Sequence, residues 1–509
     1  MKQTDTILAK SHYLSRSVST GCLNNNILLV GSTGRDKTRD FIKPNLMQMN
    51  TNYVVLDSHG TLIREVGSML EKNGYEIKVL NLADPEHSDR FNPFKYIQNE
   101  ADVYKMLDYL MPCINSALTA KKSSPHYDPF YDHAAKTLLS AICFYLMEST
   151  PPQDHTIHNV LKLLRSHKVT WDEDIESTLD ILFRDHRNTS PNSTSVQQYT
   201  LFKSLDASPA TAASVLTTAA VYLQYFHLEE IDRLTSADNI DLEKLCYQKS
   251  ALFIIPDPAD RTKNWLMGFF FGHLLNVLTR RECKLGIRFI LDDFLSAGYI
   301  PDFYEKLLVI QSHSRFMSCI ISVQDEAQLY LEYGAAAQSI ISNCDHYVFM
   351  GSSNIDLCNT VAKRLGKPFI TGRSIRRLSR KKCVVISGRK GSLCRRYNIK
   401  KHPQYKEVLD PTSSIHLKYH NVSGEYDLEK KHSIPLAEIR PLHEDAERQE
   451  RIIHRPLERL HEAKLLETVS FDKEDFMASD ILPLEMIDIY ENLPDNISDN
   501  LELEDKTEK

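Results

Sequence analysis

Short, mostly apolar runs recur along the chain at residues 27–30, 53–56, 77–80, 251–255, 287–291, 319–323, 347–350 and 383–386. Most are apolar on both faces, the pattern of strands in a parallel sheet covered by helices on either side. Segments with a 3.6-residue apolar period lie between them, so the pattern predicts an α/β fold. Three runs precede residue 81 and five follow residue 250. Between them such runs thin out and helical periodicity dominates, as in HAAKTLLSAICFYLM (133–147) and SVLTTAAVYLQYFHL (214–228). The expected organisation is an α/β domain formed by 1–97 and 247–420, an all-helical insertion at 98–246, and a charged tail at 421–509. Residues 187–196 (RNTSPNSTSV) read as a polar connector inside the insertion. In the tail a charged helix is expected at 443–466. The acidic remainder has the composition of disorder, though 476–490 keeps enough apolar residues to dock.

Composition adds few exclusions. With 509 residues and 42% hydrophobic content the chain can bury a sizeable core. The net charge of −7 gives no global attraction to nucleic acid, but its distribution is uneven. Residues 366–406 hold 14 Lys/Arg and no acid, whereas 472–509 hold 13 acids and three lysines. Ten cysteines without a C-x-x-C pair suit reduced, buried thiols, and neither disulfide nor zinc is expected. The most apolar uncharged stretch, 264–279, has 16 residues and includes His273 and Asn276, too short and polar to cross a bilayer. The N-terminus lacks a signal-like apolar core.

Chemistry concentrates at ILLVGSTGRDKTRDFIKPN (27–45). A strand-like run ends at Gly31, and Lys37 and Thr38 open a helical segment, the layout of a phosphate-binding loop G-x-x-x-x-G-K-[ST]. Such a loop wraps phosphates with backbone N–H groups; the lysine reaches the β and γ phosphates and the hydroxyl holds Mg²⁺. Gly31, Ser32, Thr33, Gly34, Arg35, Asp36, Lys37 and Thr38 are therefore the nucleotide-binding candidates. Asp36 stands where the second glycine belongs. A carboxylate ~4 Å from a polyphosphate costs about 4 kcal/mol at an effective dielectric near 20, roughly a thousandfold in affinity. It also opposes any glycine-only dihedral. IRFILDD (287–293) supplies the second half: an apolar strand ending in Asp292, which would hold Mg²⁺ with Thr38, and Asp293, which would activate the attacking water.

The chain resembles the TraG/TraD coupling proteins of type IV secretion and conjugation. The resemblance rests on GSTGRDKTRDFIKPNL (31–46), YVVLDSHGTL (53–62), DRFNPFKYI (89–97), DPFYDHAAKTLLSAICFYL (128–146), IRFILDDFLSAGYIPDFYEKL (287–307), ISNCDHYVFMGS (341–352) and KKHPQYKEV (400–408), in family order. It implies a RecA-like P-loop NTPase domain with an inserted all-helical domain, ATP and Mg²⁺ as cofactors, and a homo-hexamer. It further implies delivery of single-stranded DNA or a relaxase–DNA complex to other secretion subunits. Asp293, Arg315 and Gln324 take the catalytic positions. Four positions depart from the family pattern: Asp36 for glycine, His59 for the lysine of D-P-K-G, Asp293 for glutamate, and His313 for the first arginine of R-S-R. They open a second reading, a non-catalytic scaffold. The usual pair of N-terminal transmembrane helices has no counterpart here, so either an anchor is supplied by a separate protein or the chain is a soluble paralogue or a gene remnant; the expected location is cytoplasmic, peripheral at the inner-membrane face. Arg376, Arg377, Arg380, Lys381 and Lys382 flank the run at 383–386 and are either a solvated face or a phosphate-binding surface for single strands. His133, His155 and His158 have no metal-ligand spacing.

Overall fold

β3 (Ile27–Val30) lies near the middle of a nine-stranded sheet ordered β11-β10-β9-β3-β8-β7-β4-β6-β5. The other strands are β4 (Asn52–Leu56), β5 (Glu76–Asn81), β6 (Ser250–Ile255), β7 (Ile287–Leu291), β8 (Met317–Val323), β9 (His346–Phe349), β10 (Lys382–Ser387) and β11 (Lys390–Arg395). The computed structural model describes residues 6–15, 22–118, 128–166, 177–205, 209–258, 260–312 and 317–408. All eight apolar runs are strands, and every pairing from β9 across to β5 is parallel. β10 runs antiparallel to both β9 and β11.

Alternate residues of β3 serve two different cores: Leu28 and Val30 face one, Ile27 and Leu29 the other. Both faces are covered, which is why the strands read as continuous apolar runs. The first core is organised by helix Trp265–Thr279, buried at every position from 265 to 278. An all-round apolar helix of this length belongs to a protein interior, and no described helix is long and apolar enough to cross a membrane. Two glycines set its packing. A Cβ on Gly272 would lie 2.9 Å from Tyr109 Cγ and one on Gly268 would lie 2.0 Å from the Tyr299 carbonyl oxygen. Gly272 thereby lets Tyr109 of helix Glu100–Ala117 pack directly against helix Trp265–Thr279.

Between β5 and β6 the described residues form helices Glu100–Ala117, Pro129–Ser149, Ile157–Ser166, Thr178–Thr189, Thr194–Leu205, Pro209–Leu223 and Glu229–Thr235, with no strand among them. The helix read at 214–228 starts earlier, at Pro209, whose missing N–H suits a first turn, and gives way to a 3₁₀ turn over Gln224–His227. The polar connector shrinks to a turn at 190–193, because its ends are taken up by the flanking helices. The expected helix at 443–466 and the acidic tail lie outside the described residues.

Two further elements were not legible. β11 has three exposed positions, two half-buried ones and a single buried residue, Cys394, and lacks an apolar run. β1 (Thr6–Ala9) and β2 (His12–Leu14) form a separate hairpin of only four and three residues. β1 is held like a sheet strand by one side chain: Asn45 accepts from Ile7 N at 2.8 Å and donates Nδ2 to the Ile7 carbonyl at 2.9 Å.

Candidate nucleotide site

Residues 31–37 leave the C-terminal end of β3 in the crevice beside the ends of β8 and β9, where open parallel sheets place ligands. The start of the loop is pinned to both neighbours: Gly31 N donates to the Val323 carbonyl (3.1 Å) and Ser32 N to the Gly351 carbonyl (3.1 Å). Ser32 Oγ also donates to Ser352 Oγ at 3.1 Å. Gly34 has φ +73° and Asp36 φ +58°. The left-handed conformation expected of the second glycine is therefore kept by an aspartate, one of the few other residues that visit it, at a strain on the order of 1–2 kcal/mol.

The Asp36 carboxylate is 3.1 Å from Arg39 Nη2, one turn onward, and Arg39 is more than half exposed. The 4 kcal/mol repulsion assumed an unpaired carboxylate directed at the phosphates; paired and part-exposed, Asp36 opposes them far less. Beyond it, Lys37 is almost wholly buried, donating Nζ to the Gly31 carbonyl at 2.6 Å, with Asp293 Oδ1 3.8 Å away. A wide π-type turn, Thr38–Ile42, continues directly into helix Lys43–Leu46.

The two halves of the motif meet at Thr38, whose Oγ1 donates to Asp292 Oδ2 at 2.5 Å. Asp292 Oδ1 accepts from Ser322 Oγ and from Asp293 N, both at 3.1 Å. Burial pushes the Asp292 carboxyl up to about 6, against the opposing pull of the Thr38 hydrogen bond. Asp293 has φ +47°, and its Oδ1 is buried without a hydrogen bond among the described residues. Ser58 Oγ donates to the Asp292 carbonyl at 2.7 Å, tying the D-S-H-G turn to this strand end. Asp57 itself caps helix Thr61–Lys72, accepting from Thr61 N (3.0 Å) and Ile63 N (2.9 Å), and burial raises its carboxyl above the usual range. His59 is exposed on that turn.

Gln324, just past β8, reaches the loop by accepting from Thr33 Oγ1 at 2.9 Å. Lys37, Thr38, Asp292, Asp293 and Gln324 are thus gathered on one side of the loop, although they come from three separated segments. Arg315 and His313 lie outside the described residues. Arg376, Arg377, Arg380, Lys381 and Lys382 are all exposed, on the segment that runs from the end of helix Gly372–Arg376 to the first residue of β10. Ser322, Ser352 and Arg396 also support the site; Ser352 closes the segment ISNCDHYVFMGS, Ser322 carries no motif signal, and Arg396 was hidden within the basic run.

The residues present suit a magnesium nucleotide. Loop N–H groups and Lys37 offer donors to phosphates, Thr38 and Asp292 offer hard oxygen ligands, and Asp293 Oδ1 is a buried acceptor lacking a hydrogen bond. Strand, loop and acid pair together define a P-loop α/β protein of RecA-like architecture. The chain belongs to the family of type IV secretory system conjugative DNA transfer proteins, whose model matches residues 3–392. Among solved structures it is similar to the plasmid coupling protein TrwB in complex with the non-hydrolysable ATP analogue ADPNP. That match has 15% identity and TM-score 0.54, covering 77% of this chain and 88% of that one. TrwB in complex with ADP and Mg²⁺ matches at 15% identity and TM-score 0.52, over 73% and 84%. VirB4 of Thermoanaerobacter pseudethanolicus matches at 11% and TM-score 0.50, over 78% and 96%. No curated protein matches the sequence.

Proposed function

We propose that this chain is a coupling-protein ATPase that binds ATP with Mg²⁺ and uses its turnover to move single-stranded DNA, or a relaxase–DNA complex, into a type IV secretion channel. The observation that carries the reading is the convergence of Lys37, Thr38, Asp292 and Asp293 on one side of a loop whose left-handed positions are intact despite Asp36. TrwB, which shares the fold, has been seen with ADPNP and with ADP and Mg²⁺.

In this reading the loop N–H groups and Lys37 hold the β and γ phosphates. Thr38 and Asp292 would hold Mg²⁺, which supplies charge neutralisation at the phosphates. Asp293 takes the proton of the attacking water; one methylene shorter than glutamate, it still projects a carboxylate toward the Lys37 ammonium. Gln324, fixed to Thr33, orients that water. The helical segment 98–246 serves as a substrate-facing domain. The chain works as a homo-hexamer beside the membrane.

The test is nucleotide binding and hydrolysis with and without single-stranded DNA. Lys37→Ala should abolish binding, and Asp293→Asn should retain binding while lowering turnover by about 10²-fold or more. Wild-type binding with no hydrolysis under any DNA condition would make the chain a scaffold instead of a motor.

A further inference from the structure

Arg396 lies within the basic stretch at 366–406, yet its side chain is only 3% exposed and reaches the phosphate loop. Its Nη1 donates to the Arg35 carbonyl at 2.6 Å, Nε to the Lys382 carbonyl at 3.0 Å, and Nη2 to the Met350 carbonyl. Asp40 Oδ2 lies 3.6 Å from Nη1. One guanidinium therefore joins the loop, the end of β9, the start of β10 and the turn that follows the loop. Only a planar fork with five N–H donors can serve so many acceptors at once.

The loop needs this contact more than the hairpin does. β10 and β11 are paired over six residues, and β10 adds four pairs with β9. The loop's other hydrogen bonds to neighbouring strand ends sit before this arc, at Gly31, Ser32 and Thr33, and after it the Lys37 ammonium lies 3.8 Å from Asp293. Arg35, the acceptor, lies between the two left-handed residues Gly34 and Asp36, the arc that must turn its N–H groups toward a phosphate. The charge is also accounted for. Three carbonyls cannot neutralise a buried cation, and burial pulls the Arg396 pKa down. Asp40 is the nearest acid and is shared with Arg39 Nε at 2.9 Å, while Arg39 pairs with Asp36. The result is an alternating series, Arg396, Asp40, Arg39, Asp36, running from the interior to the surface and ending on the acid that replaced glycine.

We propose that Arg396 is the positioning residue of the phosphate loop, holding the Arg35 carbonyl so that the following N–H groups face a bound phosphate and tying the shape of the loop to the β10–β11 hairpin. This rests on the reading that the loop binds nucleotide.

The experiment uses the full chain with Arg396→Lys and Arg396→Gln. It measures binding of a fluorescent ATP analogue with Mg²⁺, competition by magnesium pyrophosphate, and melting temperature. A lysine keeps the charge and the long stem but cannot span three carbonyls. Arg396→Lys should therefore fold, yet bind both the analogue and pyrophosphate about tenfold more weakly, with Arg396→Gln weaker still. Unchanged affinity in Arg396→Lys overturns the proposal, as does a loss for the nucleotide with none for pyrophosphate. If the wild type binds neither ligand, it is the nucleotide-binding reading that fails.

Discussion

Asp36 carries an acid where a glycine is expected, and its side chain and its backbone had to be solved separately. The backbone is left-handed at φ +58°, and the carboxylate is drawn 3.1 Å from Arg39. The residue most exposed to test is thus Arg39. Replacing it with alanine frees the Asp36 charge beside the phosphates and should weaken ATP-analogue binding by about tenfold or more at low salt. Asp36→Gly alone should change affinity less than that, and Asp36→Gly with Arg39→Ala should restore most of the loss. Titrating the four proteins with one analogue checks this; an Arg39→Ala variant that binds like wild type would sink it. The sequence shows an acid at a glycine position but not its partner's rotamer. Still less does it show that Arg396, 361 positions from Arg35, donates to that residue's carbonyl.

At the scale of elements, the strands were readable because both of their faces are buried, leaving mostly apolar runs that only Lys78, Arg288 and Ser322 interrupt. β11 escaped notice because half its positions meet solvent and its side chains are Lys, Gly, Ser and Arg as well as Leu and Cys. Helix Trp265–Thr279 carries a consequence of total burial at His273. Its Nε2 has no hydrogen-bond partner among the described residues, and the ring packs against Phe91, Tyr109 and Phe269. Burial pulls its pKa down to about 3, with Asp102 opposing slightly. Because the folded value lies below the ordinary 6.5, the unfolded chain takes up the proton first. The contribution of the neutral ring is complete above 6.5 and is lost as pH falls through that value, reaching about 2 kcal/mol by pH 5. His273→Leu should therefore lose less melting temperature than wild type between pH 7.5 and pH 5. Equal losses would show that His273 does not titrate on unfolding.

At the scale of the whole molecule, the strand order places the phosphate loop near the centre of the sheet and the exposed bases at the β10–β11 edge. The parallel α/β character, the nucleotide motif and the family were legible from spaced segments. The wiring between centre and edge was not, because it runs through a buried arginine that looks like surface charge in one dimension. If the exposed bases contact a strand's phosphates, replacing Arg376, Arg377, Lys381 and Lys382 with alanine should weaken single-stranded DNA binding uniformly across sequences. It should also flatten the log K against log salt slope by about three, at ~0.7 per contact. A slope unchanged from wild type would remove this edge from the interface.

The small N-terminal hairpin bears on where the nucleotide-binding fold begins. The recognisable motif opens at residue 27, so the preceding residues look dispensable on paper. Yet Asn45, wholly buried in the helix behind the phosphate loop, spends its amide on both backbone groups of Ile7, and Lys10 N reaches the Arg395 carbonyl at 2.8 Å. Trimming to the motif would take Ile7 N from Asn45 Oδ1, leave Nδ2 with the Phe41 carbonyl alone, and strip a brace from the residue next to Arg396. Residues 6–15 are the far end of the nucleotide pocket's own scaffolding.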